Sequence, residues 1–428
     1  MPSGRREVPP LSVHSKDPTF VYLVARAAWA LFFAVLATTN LVYQVEVAHL
    51  DPLRLLLVGS ALELTCLVLQ VPTGLLADAY SRRWAVAVGT ALIGAGFVLE
   101  GMVPRFTAIL IAQVIWGAGA TLSDGADDAW ITDEVGVEPA GRLFLRGSQI
   151  GQVTGLAGIF VGVGLASIRL NLPVVVGGVL FMLLAVYLFL AMTEAGFRAI
   201  PRHSRGTLAG MAAGARSSLG AIRARPLLVT ILAITVVGGL SSEGVDRLYQ
   251  VHFLKDVGLP RFAGLSPVLW FGLISGGSAL LGIAITQVIR RRLDLGDHQL
   301  VTRSLLAFTA ARAVALAGFA LATNLAVAIA FIWVANVMRQ AFGPVQRAWL
   351  NQSLDPANRA TLFSVDGQAD ALGQIVGGPI IGAVASGVSI RAALVASAGL
   401  LGLALPLFMR AHGQASGEPI RATTGDVA

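Results

Sequence analysis

Long apolar segments alternate with short polar links over almost the whole chain. Each segment has about 20 or more residues, the length that an α-helix needs to cross the hydrocarbon core of a bilayer. Apolar segments of this length with few charges are typical of transmembrane helices. The pattern predicts twelve of them, at residues 19–46, 52–77, 84–103, 106–132, 143–168, 172–193, 226–254, 264–289, 302–323, 325–350, 362–386 and 390–410. The predicted fold is an all-α membrane protein.

One link is longer than the others. Residues 194–225 are basic and rich in Ala, Gly and Ser, which is typical of a segment at the membrane surface. The link divides the predicted helices into six-helix halves at 19–193 and 226–410. We expect residues 1–18, 194–225 and 411–428 to be a cytoplasmic N-tail, linker and C-tail.

Short sequence matches relate the two predicted halves. Parallel halves related by an axis along the membrane normal are a known plan for transporters. The matches fall at similar offsets in corresponding helices: YQV at Tyr43–Val45 and Tyr249–Val251, AW at Ala129–Trp130 and Ala348–Trp349, and GQVTG at Gly151–Gly155 with GQIVG at Gly373–Gly377.

Composition supports a lipid environment. Of the 428 residues, 55% are hydrophobic and 13% are charged, whereas soluble domains carry roughly 25% charged residues. The 48 glycines suit close packing of helices in lipid. The histidines are scattered, without the spacing of a metal site, which argues against a soluble metalloenzyme. A single cysteine, Cys66, excludes a disulfide framework, and the lack of a P-loop argues against direct use of ATP. We expect no enzymatic activity, cofactor, metal or nucleic-acid partner.

The positions of the basic residues predict the orientation. With the N-terminus inside, the inner segments hold 21 of the 31 Lys and Arg residues and the outer loops hold six. An excess of Lys and Arg marks cytoplasmic loops. We therefore expect a multi-pass protein of the inner (cell) membrane, a monomer with both termini in the cytoplasm.

The link after the second predicted helix reads GLLADAYSRR, from Gly74 to Arg83. It resembles the signature loop of the major facilitator superfamily, which has the pattern Gly, any, Leu, Ala, Asp, Arg, any, Gly, Arg, Lys. Ala79 and Ser81 depart from that pattern, while the other specified positions match in type. The resemblance implies the major facilitator fold and transport by alternating access.

The fifth predicted helix contains GSQIGQVTGLAG, in which Gly147, Gly151 and Gly155 share one face. This stretch resembles the glycine-rich motif of the proton-coupled drug antiporters in the same superfamily. The antiporter pattern also has an Arg four residues before Gly117 in the fourth helix, where this chain has Gln113. The resemblance implies proton-coupled efflux, and Gln113 argues against the usual coupling route.

Acidic residues within apolar helices are the candidates for proton coupling. A charged side chain at mid-membrane costs about 2.5–3.5 kcal/mol or more, so each such residue invites a functional interpretation. Glu63 lies near the middle of the second helix, and burial would favour its protonated form. It either faces a central cavity or is hydrogen-bonded, uncharged, between helices. Asp124 in the fourth helix is a second candidate for binding a proton or a cation.

A second charged group is expected at the cytoplasmic end. Its role would be to hold the two halves together and to release them as they rock apart. We expect Asp127 or Asp128 to pair with Arg82 or Arg83, and we place Asp124 and Asp128 on one face of a continuous helix. The predicted cytoplasmic gate comprises Gly74, Asp78, Arg82, Arg83, Asp127 and Asp128.

The second half has its own group of buried charges. Glu243 and Arg247 are spaced for an ion pair within one helix, which would neutralise both or take part in coupling. The cations Arg312 and Arg339 could pair with Glu243, Asp246 or Asp370, or receive an anionic group of a substrate. Further candidates for lining a cavity are Trp29, Phe33, Asn40, Gln44, Gln113, Trp116, Gln152, Trp333, Asn336 and Gln340.

These observations favour a secondary transporter that exports small amphiphilic molecules, such as drugs or metabolites, in exchange for protons. Its partners would be the substrate, protons and the lipid bilayer, and multidrug efflux with antibiotic resistance is the expected consequence. Two alternatives stay open. One is an importer or facilitator of a small anionic nutrient, and the other is a lipid transporter.

Overall fold

The computed structural model describes residues 17–197, 225–260, 268–294, 296–352 and 359–415. The predicted tails and most of the predicted linker lie outside these ranges. The helices of the described part are α1 Pro18–Glu46, α2 Pro52–Ala79, α3 Arg82–Met102, α4 Phe106–Ser123, α5 Ala126–Val135, α6 Val137–Ile168, α7 Leu172–Ala191, α8 Pro226–His252, α9 Val268–Arg292, α10 His298–Leu321, α11 Leu325–Gln352, α12 Arg359–Gly387, α13 Ile390–Gly402 and α14 Ala404–Ala415.

In the described residues these helices form twelve segments that are long and apolar enough to cross a membrane. The twelve predicted helices are therefore confirmed. Helices α4 and α5 together make the fourth segment, α8 continues through one π-helical turn at Phe253–Val257, and α13 with α14 make the twelfth. The fifth segment begins at Val137 rather than at residue 143, because α6 extends beyond the apolar stretch into a polar first turn.

Local sequence signals define where several helices begin. The side chains of Asp17, Asp51, Ser81 and Ser389 each accept a hydrogen bond from a backbone N–H in the first turn of the next helix. Such caps satisfy donors that have no partner within the helix. Prolines occupy the first turns of α1, α2, α7 and α8, where their fixed φ fits and no N–H is needed.

The two halves, α1–α7 and α8–α14, meet at one end of the bundle. This closed end contains the link between α1 and α2 at residues 47–51. A single hydrophobic core there combines first-half residues such as Val42 and Leu55 with second-half residues such as Leu248 and Phe319. Hydrogen bonds from Gln250 Nε2 to the Thr38 carbonyl (2.9 Å) and from the Leu53 N–H to Ser386 Oγ (3.1 Å) also join the halves near this end.

The opposite end, which contains the link between α2 and α3, is built differently. In the described residues the cores at this open end are separate: one includes Val21, Trp130 and Leu188 of the first half, and the other includes Ile231, Trp349 and Phe408 of the second. The halves therefore diverge from the closed end toward the open end. The outer faces are apolar, as α7 shows with Val186 and Leu190, so they suit contact with lipid.

Candidate functional site

A buried ion pair lies where the two halves meet. Arg247 Nε donates to Glu243 Oε1 over 2.9 Å within α8, and the two side chains are only 15% and 5% exposed. Gly59 of α2 lies directly against them, because a Cβ atom there would collide with the Glu243 carboxylate. The expected intrahelical pair is thus present. Its position against α2 makes it part of the boundary between halves.

A second ion pair lies about one turn further along α8, toward the closed end. Arg339 of α11 donates to Asp246 of α8, and both side chains are partly exposed. Of the pairings open to Arg339, the structure has the one with Asp246. Arg312 of α10 forms no ion pair with a described residue, although Asp370 and Arg339 lie within its electrostatic range. Its guanidinium group therefore remains available to a ligand.

Arg312 lines a cavity of about 570 Å³ in the second half. The lining also includes Asp366 and Asp370 of α12 and four phenylalanines, so charged and aromatic groups face the same space. Thr235 Oγ1 donates to Asp366 Oδ1 over 2.6 Å, and Gln374 Nε2 donates to Asp370 Oδ2 over 2.8 Å. A cavity with an aromatic wall and a few polar groups suits a small organic molecule with a charged group.

Glu63 of α2 is half-buried and forms no hydrogen bond or ion pair with a described residue. The charges of Glu243, Asp370 and Arg247, all in the second half, act on it across the boundary. The structure therefore disfavours the alternative of a Glu63 hydrogen-bonded between helices. It fits a carboxyl group that faces the space between halves.

Glu100 of α3, which no sequence pattern singled out, is fully buried. Gln44 Nε2 of α1 donates to its Oε1 over 2.7 Å, and Gln113 Nε2 of α4 donates to its Oε2 over 3.0 Å. The Asn40 side chain of α1 lies beside the carboxyl group. Gln44 and Gln113 are at most 1% exposed and lie around Glu100, so they do not line a cavity as expected.

The fourth segment is not one continuous helix. Gly125 adopts φ +76°, in the left-handed region that favours glycine, and it separates α4 from α5. The expectation that Asp124 and Asp128 share one helical face is therefore wrong. Asp124 is exposed at the end of α4, and Asp128 lies in the first turn of a separate helix, α5.

The predicted gate pairing is also wrong. Arg26 of α1 pairs with Asp127 (3.5 Å), and the Tyr22 hydroxyl donates to Asp128 Oδ1 (3.0 Å). Arg82 instead pairs with Asp133 (2.6 Å) of α5, and with Asp78 (3.5 Å). The break at Gly125 turns the acidic first turn of α5 toward α1 and brings the last turn of α5 to Arg82.

The gate residue Arg83 and its neighbour Ser81 bind the segment after α7. Ser81 Oγ donates to the Glu194 carboxylate over 2.8 Å, and the Arg83 N–H donates to it over 3.1 Å. Gly74 has no neighbour within 4 Å of where a Cβ would lie. The gate contacts in the described residues thus all stay within the first half, so in this conformation they do not join the halves.

The other predicted cavity residues fall into two groups. Trp29 stacks on Phe33 with ring centroids 5.0 Å apart, Phe33 reaches Trp116 at 6.1 Å, and Gln152 is exposed on α6. On α11, three side chains donate to α9 instead of lining the 570 Å³ cavity. These are Trp333 to the Ile274 carbonyl, Asn336 to Ser278 Oγ and Gln340 to the Ser278 carbonyl.

A second cleft, of about 520 Å³, lies at the closed end. Its walls come from both halves: Asp51, Pro52 and Leu53 begin α2, while Lys255, Asp256 and Ser386 belong to the second half. We call it the closed-end cleft.

Comparisons with known proteins agree with this architecture. No protein-family model matches the chain. The uncharacterized MFS-type transporter YxaM of Bacillus subtilis (strain 168) is 21% identical over 369 residues, which cover 84% of this chain and 87% of that protein. Together with the fold, this similarity supports a transporter of the MFS (major facilitator superfamily) type.

Solved structures show the same fold. The nucleoside transporter NupG superposes with a TM-score of 0.75 at 14% identity, covering 92% of this chain and 99% of that chain. A bacterial homologue of the human lysosomal transporter Spinster, in an inward-facing and unoccupied conformation, gives 0.71 at 17% identity, covering 94% and 98%. The peptide transporter POT in complex with sulfate gives 0.71 at 15% identity, covering 93% and 94%. The fold is the major facilitator fold, as expected.

Proposed function

We propose that the chain is a secondary transporter that exports small amphiphilic organic molecules in exchange for protons. The observation that carries this proposal is the arrangement of the two halves, which share a core at the closed end and have separate cores at the open end. Charged groups lie between them, at Glu63 and at the Glu243–Arg247 pair. Rocking of the halves about such a site gives alternating access.

We further propose that the open end faces the cytoplasm. The excess of basic residues in the segments at that end supports this orientation. The Spinster homologue, solved in an inward-facing conformation, has a similar arrangement of helices. In this orientation the cavity beside Arg312 receives substrate from the cytoplasm. Export is supported by the glycine face of α6, where Gly147 and Gly158 pack on α1 as the antiporter-like motif implies.

The test is an efflux assay with ethidium in a pump-deficient host, followed by everted vesicles with an acidic interior. Adding ethidium to wild-type vesicles should dissipate part of the proton gradient. Glu63→Gln and Asp124→Asn should each reduce that response, because neither variant can carry a proton at the changed position. Glu138→Gln, which changes an exposed residue paired with Arg142, is the control. A response that both variants retain in full would refute the assignment of these acids.

Import of a small anionic nutrient is the second candidate. Arg312 favours it, because no described acid forms an ion pair with this arginine in the cavity. Right-side-out vesicles supplied with labelled pyruvate distinguish the two directions. Accumulation driven by an inward proton gradient, with no response to ethidium in everted vesicles, would replace export by import.

A further inference from the structure

Glu100 is surrounded by side chains that can serve either a charged or a neutral carboxyl group. Gln44 and Gln113 donate to it from their amide nitrogens, and the Asn40 side chain lies beside it. The amide oxygens of all three are buried and have no hydrogen-bond partner among the described residues. A buried acceptor without a donor is unfavourable, so this arrangement satisfies the carboxylate but leaves three acceptors unused.

The side-chain amide of Asn or Gln can rotate by half a turn, which exchanges the positions of its NH₂ donor and its oxygen acceptor within the same space. With Glu100 ionised, the NH₂ groups of Gln44 and Gln113 donate to it. With Glu100 protonated, one amide turns so that its oxygen accepts from the carboxyl O–H, and one of the unused acceptors gains a donor. An arginine at position 113, as in the antiporter pattern, could only donate and would hold Glu100 ionised.

One arginine contributes positive charge to the surroundings of Glu100. Two charged or titratable groups lie near it. The Tyr43 hydroxyl of α1 donates to the backbone carbonyl of Glu100 (2.7 Å), and the positive charge of Arg247 of α8 acts on the Glu100 carboxylate. Among the described residues α4 contributes the neutral Gln113. Arg247 is already paired with Glu243. The ionised form of Glu100 therefore depends on Arg247 staying close, because a buried charge without a partner is strongly unfavourable.

We infer that Glu100 is a proton-binding site whose occupancy alternates with the position of α8. The inference rests on the proton coupling proposed above and adds Glu100 to the acids that carry it. In the present conformation α8 covers the site, because Gln250 binds the Thr38 carbonyl two residues from Asn40. Opening of the closed end separates α8 from α1, admits water and moves Arg247 away, so Glu100 takes a proton from that water.

Closing the same end reverses these conditions. Arg247 returns, and its positive charge favours the ionised form of Glu100, which releases its proton. Arg247 also acts on Glu63 and Glu243, so a proton leaving Glu100 moves into a region with two further carboxyl groups. Each transport cycle thereby carries a proton from the closed end to the open end.

Infrared difference spectroscopy of the reconstituted full-length protein tests this inference without a substrate. Spectra recorded across a pH titration should contain the C=O band of a protonated carboxyl group in an apolar site. Glu100→Gln, which is isosteric, should remove that band, whereas Glu63→Gln and the exposed Glu138→Gln should retain it. If Glu100→Gln does not fold, Gln44→Leu keeps the carboxyl group but removes one hydrogen bond, and it should shift the frequency of the same band.

Two failures can be told apart. A band that is unchanged in Glu100→Gln and in Gln44→Leu would overturn the assignment of Glu100, even if the everted-vesicle response of the wild type is intact. An absent wild-type response to ethidium and to pyruvate would reject proton coupling itself. A Glu100 band that persists while both transport responses are absent would show a proton site that is not coupled to transport, which also overturns the inference.

Discussion

At the scale of single residues, the decisive feature is the burial of charge between two halves that must move. A buried ion pair adds little net stability, because desolvation offsets much of the Coulomb attraction. Removing one partner is different, since it leaves the other charge buried alone. Glu243 and Arg247 are both well buried and lie against Gly59, so little water can reach either charged group to solvate it.

We expect Glu243→Gln to lower the free energy of unfolding by about 3–5 kcal/mol, the usual cost of leaving one partner of a buried ion pair uncompensated. The double variant Glu243→Gln/Arg247→Met should recover most of this loss. Unfolding in detergent micelles, followed by circular dichroism, measures both. Glu138→Gln removes one partner of a pair with the same spacing whose side chains are 88% and 67% exposed. An equal loss in that control would contradict the argument from burial.

Buried charged residues can be predicted from the sequence only where they interrupt an apolar stretch. Glu63, Glu243 and Arg247 interrupt apolar runs, and their positions in the structure agree with that signal. Glu100 is two residues from the end of α3, where a charge usually reaches the membrane surface. Its burial arises from α1 and α4, which cover it with Gln44 and Gln113. The repeated YQV motif marks Gln44 and Gln250, and together with Gln113 in the fourth predicted helix it pointed to this region.

At the scale of helices, the break between α4 and α5 determines which charges can meet. Periodicity identifies residues that share a face of a continuous helix, but it does not reveal which neighbouring helix that face contacts. The dipeptide Asp124–Gly125 is a common turn signal, and it was available in the sequence. Its location inside an apolar stretch favoured a continuous helix, and the pairings of Asp127 and Asp128 were predicted wrongly as a result.

Gly125→Ala should destabilise the protein by about 1–2 kcal/mol, because an L-residue pays this amount in the left-handed region. Gly141→Ala is a matched control, since Gly141 lies within α6 and has no neighbour within 4 Å of a new Cβ. That control should be stabilising by up to about 1 kcal/mol through helix propensity. The midpoint temperatures of thermal unfolding of the two variants, measured in one detergent, should therefore shift in opposite directions from that of the wild type. A shift in the same direction would mean that the positive φ carries no strain.

At the scale of the whole molecule, hydropathy alone predicted the twelve helices, which the structure confirms, while the orientation inferred from the basic residues stays a prediction. Both follow from the lipid environment, which imposes length and polarity on each segment separately. The conformation could not be predicted in this way. Whether the halves meet at one end or the other depends on contacts such as that between Leu53 and Ser386, which are distant in sequence.

Cysteines introduced at Leu53 and Ser386, in a Cys66→Ser background, should form a cross-link on oxidation, because these residues touch across the closed end. The cross-link should hold the closed end together and abolish transport of ethidium in the vesicle assay. A reducing agent should restore it, and each single cysteine variant should transport normally under oxidation. Full transport by the cross-linked protein would show that the closed end does not need to open.

The closed-end cleft has a consequence for inhibition. Its walls belong to both halves, with Asp51 on one side and Lys255 and Ser386 on the other. A compound bound there would bridge two bodies whose separation the transport cycle requires, without entering the cavity beside Arg312. Its inhibition would be non-competitive, and raising the substrate concentration would not relieve it.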